Sequence, residues 1–134
     1  MKIAVSATTD NLDSMVDARF GRCPYFLIVK VEGTEIKGYE AIKNPSVSAM
    51  GGAGIQAAQF VANKGVEVVI TGNIGPNAFN VLSQIGIKIL TGVGGISVKD
   101  AVQKYLKGEI KETKTPTIGF RPGRGMGLGR GRRQ

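Results

Sequence analysis

Short runs of aliphatic and β-branched residues alternate with glycine-rich breaks along most of this chain. Residues 66–70 (VEVVI) form one such run, which is typical of a strand buried on both faces. Residues 71–75 interrupt it, and Pro76 suits the first position of a helix, where its missing N–H costs nothing. Apolar residues then recur at helical spacing until Gly86, which predicts a helix over residues 76–85.

The other apolar runs predict four further strands and two further helices. The strands are expected at residues 2–6, 25–31, 35–44 and 87–90. A hairpin turn at residues 32–34 joins the second and third strands, so the first three form an antiparallel meander. One helix follows the glycines at 51–54, and another begins at Ser97, where Ser97–Asp100 resembles a capping box. Helix-linked crossovers imply parallel pairing of the last two strands, so the fold is α/β with a mixed five-stranded sheet and three flanking helices.

The charge of the chain is concentrated at its C-terminus. The 134 residues have a formal net charge of +8, and residues 115–134 contribute five arginines and no acid. We therefore predict one domain over residues 1–114 and a disordered Gly/Arg-rich tail over 115–134. The basic balance belongs to this tail, so any binding of nucleic acid is expected through the tail rather than the domain.

The absence of histidine and of long apolar runs, together with a single cysteine, excludes several kinds of site and indicates where the protein is located. There is no histidine and a single cysteine, Cys23. An internal disulfide, a Cys/His zinc site and a Ser–His–Asp or Cys–His catalytic pair are therefore excluded within one chain. No apolar run approaches the ~18 residues of a membrane span, and the start is too short for a signal peptide, so we expect a cytoplasmic protein.

Three glycine-rich loops, at residues 51–54, 72–77 and 92–97, each lead into a predicted helix. None has the sequence of a phosphate-binding P-loop, and none has dinucleotide-fold spacing after the first strand. Small residues let a ligand approach the backbone, and helix N-termini attract anions, although close helix–sheet packing would also require glycine. Two of these loops supply the candidate cofactor-binding residues Gly51, Gly52, Gly54, Gly72, Asn73, Gly75 and Asn77.

The long connection at residues 7–24 carries most of the other polar candidates. Asp10, Asp13 and Asp17 could bind a hard cation, or could simply belong to a solvated loop. Arg19 and Arg22 precede Cys23, and these charges would favour the thiolate that binds soft metals; the alternative is a half-buried structural cysteine. A single thiolate cannot supply the four ligands of a usual iron–sulfur cluster, so a cluster would be held loosely or shared between chains.

The order of several short motifs resembles the dinitrogenase iron–molybdenum cofactor biosynthesis family, and in particular its small stand-alone archaeal members. The resemblance spans roughly residues 1–112 and rests on these segments: FGRCPYF at 20–26, NP at 44–45, GGAGIQAA at 51–58, GV at 65–66, GPNA at 75–78 and GI at 86–87. It implies a ribonuclease H-like fold and a protein that binds iron–molybdenum cofactor or an iron–sulfur precursor and passes it on without catalysis. Donor and acceptor proteins for the metallocluster are the implied partners.

Cofactor-binding members of that family are associated with a histidine ligand, which this chain lacks. Cys23 is the one soft side chain that could replace it, and it is the predicted metal ligand, with Arg19 and Arg22 neutralising the cluster.

A second hypothesis is a nucleic-acid or regulatory binding protein that acts through the Arg/Gly tail. A third is an enzyme acting on a phosphorylated small molecule at the helix starts. A two-metal nuclease is disfavoured because the first strand has no acid and the fourth offers only Glu67. The sequence leaves the oligomeric state open.

Overall fold

Five strands and three helices follow one another in the predicted order in the computed structural model, which describes residues 1–117. The elements are β1 (Lys2–Ala7), β2 (Tyr25–Glu32), β3 (Glu35–Lys43), α1 (Ala53–Ala62), β4 (Val68–Ile70), α2 (Pro76–Ile85), β5 (Lys88–Leu90) and α3 (Val98–Leu106). Helix α2 has the predicted bounds. Strand β4 is two residues shorter than predicted at its start, because its paired register covers only Val68–Ile70.

The strands form one sheet in the order β3-β2-β1-β4-β5. Strand β2 pairs antiparallel with both β1 and β3, whereas β1, β4 and β5 run parallel. Val5 on β1, for example, lies opposite Leu27 on β2 and Ile70 on β4. The prediction of a mixed sheet, with a meander followed by two parallel strands, is confirmed.

The alternation of side chains along the strands divides the core into two layers. Ile3 and Val5 point to the layer that α3 covers with Val98 and Val102. Ala4, between them, belongs to the other layer, which α1 and α2 cover with residues such as Ala57, Val61 and Leu82. Since α1 and α2 share one face of the sheet, their N-termini open at the same sheet edge, beyond the carboxyl ends of the parallel strands.

Backbone bridges hold the long connection between β1 and β2 against the edge of the sheet. Single bridges link Ala7 to Val16, Met15 to Ser97 and Arg19 to Asn73. Its interior positions Val16, Asp17 and Phe20 are buried. The second half of this connection therefore lies beside the carboxyl ends of β1 and β4.

The predicted boundary between domain and tail remains a prediction. Residues 115–117 are described, and Thr117 bonds to Ile74. The rest of the predicted tail lies outside the described residues. Within residues 1–117 no helix combines the length and apolar character that crossing a bilayer requires. The cytoplasmic location also remains a prediction.

Candidate functional site

A cleft of about 320 Å³ opens at the carboxyl edge of the parallel strands, where ligands bind in open α/β sheets. Its walls are the first turns of α1 and α2, the loop after β4 and the second half of the connection at 7–24. The lining residues are Arg19, Phe20, Gly21, Arg22, Gly52, Ala53, Gly54, Ile55, Asn73, Gly75, Pro76, Asn77 and Ala78. The cleft thus brings together segments separated by up to 59 residues of sequence.

Among the residues that the structure describes, no side chain caps the first turn of α1 or of α2, and both helices begin at the cleft. The N-cap positions are Gly52, in the left-handed conformation at φ 68°, and Gly75, and the first turns carry no acid. The start of α3 differs, because the Ser97 hydroxyl accepts a hydrogen bond from the Asp100 N–H at 3.0 Å, as predicted. The first N–H groups of a helix and its dipole favour an anion, so α1 and α2 present two positive ends to one cleft.

Arg19 is held at the cleft by a buried carboxylate. Its Nε lies 3.1 Å from Oδ1 of Asp17 and its Nη2 lies 3.3 Å from Oδ2, while Oδ1 also accepts the Arg19 backbone N–H at 2.8 Å. The hydrogen bond and charge of Asp17 raise the pKa of Arg19. The side chain of Arg19 remains 60% exposed. Its guanidinium is therefore both oriented and accessible to a ligand.

Asp17 uses its carboxylate for this ion pair, which disfavours the hard-cation alternative that the sequence left open for Asp10, Asp13 and Asp17. Within residues 1–117 no group of three or more acidic, cysteine or histidine side chains is arranged to hold a metal ion.

Arg22 forms the next part of the wall, and its Nη1 donates to the carbonyl oxygens of Val47 and Ala49. These bonds hold the loop before α1 against the cleft and orient the second guanidinium.

Two glycines at or near the cleft, Gly21 and Gly72, serve the close packing of backbone segments. A Cβ on Gly21 would lie 2.9 Å from the backbone nitrogen of Gly54, so the connection and α1 touch through their backbones. A Cβ on Gly72 would lie 2.6 Å from the Cα of Ala18. Of the glycines predicted to bind cofactor, Gly52, Gly54 and Gly75 line the cleft, whereas Gly51 and Gly72 do not.

Cys23 lies in the hydrophobic core beneath the cleft and is fully buried. Its thiol donates to the carbonyl oxygen of Phe20 at 3.4 Å, and Nδ2 of Asn44 approaches the sulfur at 3.7 Å. Burial, followed by the charge of Asp17, raises the pKa of this thiol to about 12. The expectation of a thiolate is therefore contradicted, because desolvation by burial is the largest influence on this thiol and favours its neutral form. This conformation does not place Cys23 where it could be a ligand in the cleft.

A sequence model described as "Dinitrogenase iron-molybdenum cofactor" matches residues 1–108. The chain belongs to this family. An uncharacterized protein of Methanocaldococcus jannaschii is 36% identical over 112 residues, which are 84% of this chain and 91% of that protein. The apo form of the orange protein from Desulfovibrio gigas is 37% identical, with a TM-score of 0.82 over 87% of this chain and 96% of that one. A Thermotoga protein described as belonging to the DUF35 family is 33% identical, with a TM-score of 0.73 over 89% of this chain and 98% of that one.

Seven of the ten predicted site residues of this family member line the cleft: Arg19, Arg22, Gly52, Gly54, Asn73, Gly75 and Asn77. The prediction missed the apolar lining, in particular Phe20, Ile55 and Ala78. These residues belong to the same motifs that carry the family resemblance, so motif membership could have identified them. A wider hollow of about 600 Å³ lies beside α3, but its lining includes Asp13 and Glu35 as well as Lys99, which makes it less suited to an anion.

We predict that Cys23 makes folding stability fall at alkaline pH. The folded thiol keeps its proton up to a pKa of about 12, whereas the unfolded thiol ionises near 9. The unfolded state therefore releases a proton that the folded state retains, and stability declines as pH rises from about 9 to 12. Urea denaturation of wild type and Cys23→Ala at pH 8 and 10.5 measures this. The stability advantage of wild type should shrink by about 2 kcal/mol at pH 10.5. An advantage equal at both pH values would contradict the buried neutral thiol.

Proposed function

We propose that this protein binds and carries an anionic metallocluster of the iron–sulfur or iron–molybdenum type and catalyses no reaction. The observation that carries the proposal is the convergence of two acid-free helix starts and two arginines on one cleft. Membership of the iron–molybdenum cofactor family supports a cofactor-related role. Proteins that donate the cluster and proteins that accept it are the corresponding partners.

The cleft suits an anion held by charge and hydrogen bonds rather than by metal–ligand bonds. Its lining contains no cysteine, histidine or carboxylate among the residues that the structure describes. Arg19 and Arg22 would neutralise the cluster, and backbone N–H groups would be donated from Gly52–Gly54 and, around Pro76, from Gly75 and Asn77. Asn73 and Asn77 add side-chain amides at the rim. A cluster that keeps its own ligands is bound reversibly, as transfer to an acceptor requires.

The mixed five-stranded sheet is compatible with the ribonuclease H-like fold that the family resemblance implies. The role predicted for Cys23 as metal ligand would need the loop at 20–24 to open, because its sulfur is buried beneath Phe20 in the described conformation. We therefore assign binding to the arginines and helix starts.

Anaerobic titration with isolated iron–molybdenum cofactor and, separately, with an iron–sulfur cluster tests the proposal. Metal content after gel filtration and EPR of the bound cluster give the stoichiometry. We expect about one cluster per chain and the same uptake by Cys23→Ala, because the thiol does not line the cleft. Failure of both clusters to bind stoichiometrically would refute the proposal. Loss of uptake in a folded Cys23→Ala variant would restore the cysteine as ligand.

A further inference from the structure

Residues 113–117, which we call the strap, are fastened to the parallel half of the sheet at two points. At the start of the strap, Oγ1 of Thr113 accepts the Thr91 N–H at 3.1 Å. At its end, Oγ1 of Thr117 accepts the Ile74 N–H at 2.7 Å, and the Thr117 N–H donates to the Ile74 carbonyl oxygen at 2.8 Å. At both points a threonine hydroxyl thus accepts a backbone N–H from a loop that follows a parallel strand.

The sequence of the strap favours an extended path between these two points. Pro116 restricts its own φ, and it disfavours helical backbone at Thr115 before it. These restrictions leave the free chain fewer conformations to lose when the strap binds. They therefore reduce the entropic cost of fastening Thr117, which is itself exposed.

Ile74 links the strap to the walls of the cleft. Its side chain is fully buried in the core layer beneath α1 and α2. Its neighbours in sequence, Asn73 and Gly75, both line the cleft, and Gly75 is the N-cap of α2. Asn73 also forms a backbone bridge with Arg19. The backbone at residues 73–75 is thus held by two distant segments, one that carries Arg19 and one that carries Thr117.

We propose that Thr117 is a positioning residue for the anion cleft, which acts through Ile74 to fix Asn73, Gly75 and the start of α2. This inference rests on the proposed function, since the cleft must bind an anion for its affinity to change. A wall that is already in place loses little conformational entropy when the ligand binds. A binding site weakens when the residues that support it leave it about 1 Å too loose. Thr117 therefore raises the affinity for the anion although it does not line the cleft.

The test uses three variants of the full-length protein. Thr117→Val removes the acceptor of the Ile74 N–H, and its methyl group occupies the space in which water could replace the hydroxyl. Thr117→Ser keeps the hydroxyl and is the conservative variant. Thr113→Val removes the corresponding acceptor of the Thr91 N–H, and neither of these two threonines lines the cleft. Amide hydrogen exchange is measured without ligand, and binding of isolated iron–molybdenum cofactor is titrated anaerobically.

We expect Thr117→Val to exchange its Ile74 amide faster than wild type and to have a Kd about threefold to tenfold higher. Thr117→Ser should keep the slow exchange at Ile74 and bind within about twofold of wild type. Thr113→Val should accelerate exchange at Thr91 but also bind within about twofold of wild type. This pattern would assign the loss of affinity to the contact with Ile74.

Faster exchange at Ile74 with a wild-type Kd in Thr117→Val would overturn the positioning role and leave the carrier function intact. Unchanged exchange at Ile74 in Thr117→Val would overturn the contact on which the role depends. An equal rise in Kd in Thr117→Val and Thr113→Val would also overturn it, because the loss would then follow a general loosening of the strap. Absence of binding by wild type would refute the carrier function and this role with it, whatever the exchange data show.

Discussion

Replacing Arg19 and Arg22 together by glutamine is expected to weaken uptake of iron–molybdenum cofactor by about tenfold to a hundredfold. Each guanidinium lies on the cleft wall in an orientation that other residues maintain, Asp17 for Arg19 and the carbonyl oxygens of Val47 and Ala49 for Arg22. Pre-oriented charged donors bind an anion with little further loss of conformational entropy. Anaerobic titration of the folded variant, followed by metal content and EPR, measures the loss.

A matched double variant separates local from overall charge. Lys88→Gln with Lys107→Gln also removes two positive charges, from exposed positions outside the cleft. We expect it to bind within about twofold of wild type, since neither lysine lines the cleft and salt screens exposed charges that do not contact the ligand. Equal losses in the two double variants would mean that net charge, rather than the cleft, determines uptake. Wild-type affinity in the arginine variant would place the ligand elsewhere on the protein.

The substitution Gly72→Ala should destabilise the fold by about 3 kcal/mol, at the upper end of the range for an overpacked site. The added methyl group would lie 2.6 Å from the Cα of Ala18 and 3.2 Å from the carbonyl oxygen of Asp17. The two segments cannot simply separate, because the Gly72 N–H donates to that same oxygen at 3.1 Å and the Gly72 carbonyl accepts from Gly92. Urea denaturation at neutral pH measures the change in the free energy of unfolding.

Gly51→Ala is the matched control for this effect. Apart from its chain neighbours, no described residue comes within 4 Å of a Cβ built at Gly51, and the backbone there does not need a left-handed conformation. Alanine also restricts the unfolded chain, so the free energy of unfolding should change by less than about 1 kcal/mol and could increase. Similar destabilisation by both substitutions would show that the contact between Gly72 and Ala18 is not the cause.

The local pattern of the chain was sufficient to predict the elements and their order. Pro76 and Gly86 bound α2, Ser97 caps α3, and the hairpin turn specifies the meander, because each of these signals acts within a few residues. Parallel pairing of β4 and β5 followed from the helical crossovers. The place of β4 beside β1 came only from the structure. The convergence of Gly52, Gly54, Gly75 and Asn77 on one cleft was also predictable, since helix starts after parallel strands meet at one sheet edge.

Only the tertiary structure decided what each candidate side chain does. Cys23 follows two arginines in sequence, but its ionisation depends on the core residues that surround it, such as Phe26 and Ala57, and these come from other elements. Whether a loop glycine serves a ligand or packing depends on the segment opposite, and Ala18 lies 54 positions before Gly72. The attachment of Thr117 to Ile74 spans 43 residues. Burial and contact between distant segments arise from packing, which short-range sequence patterns do not encode.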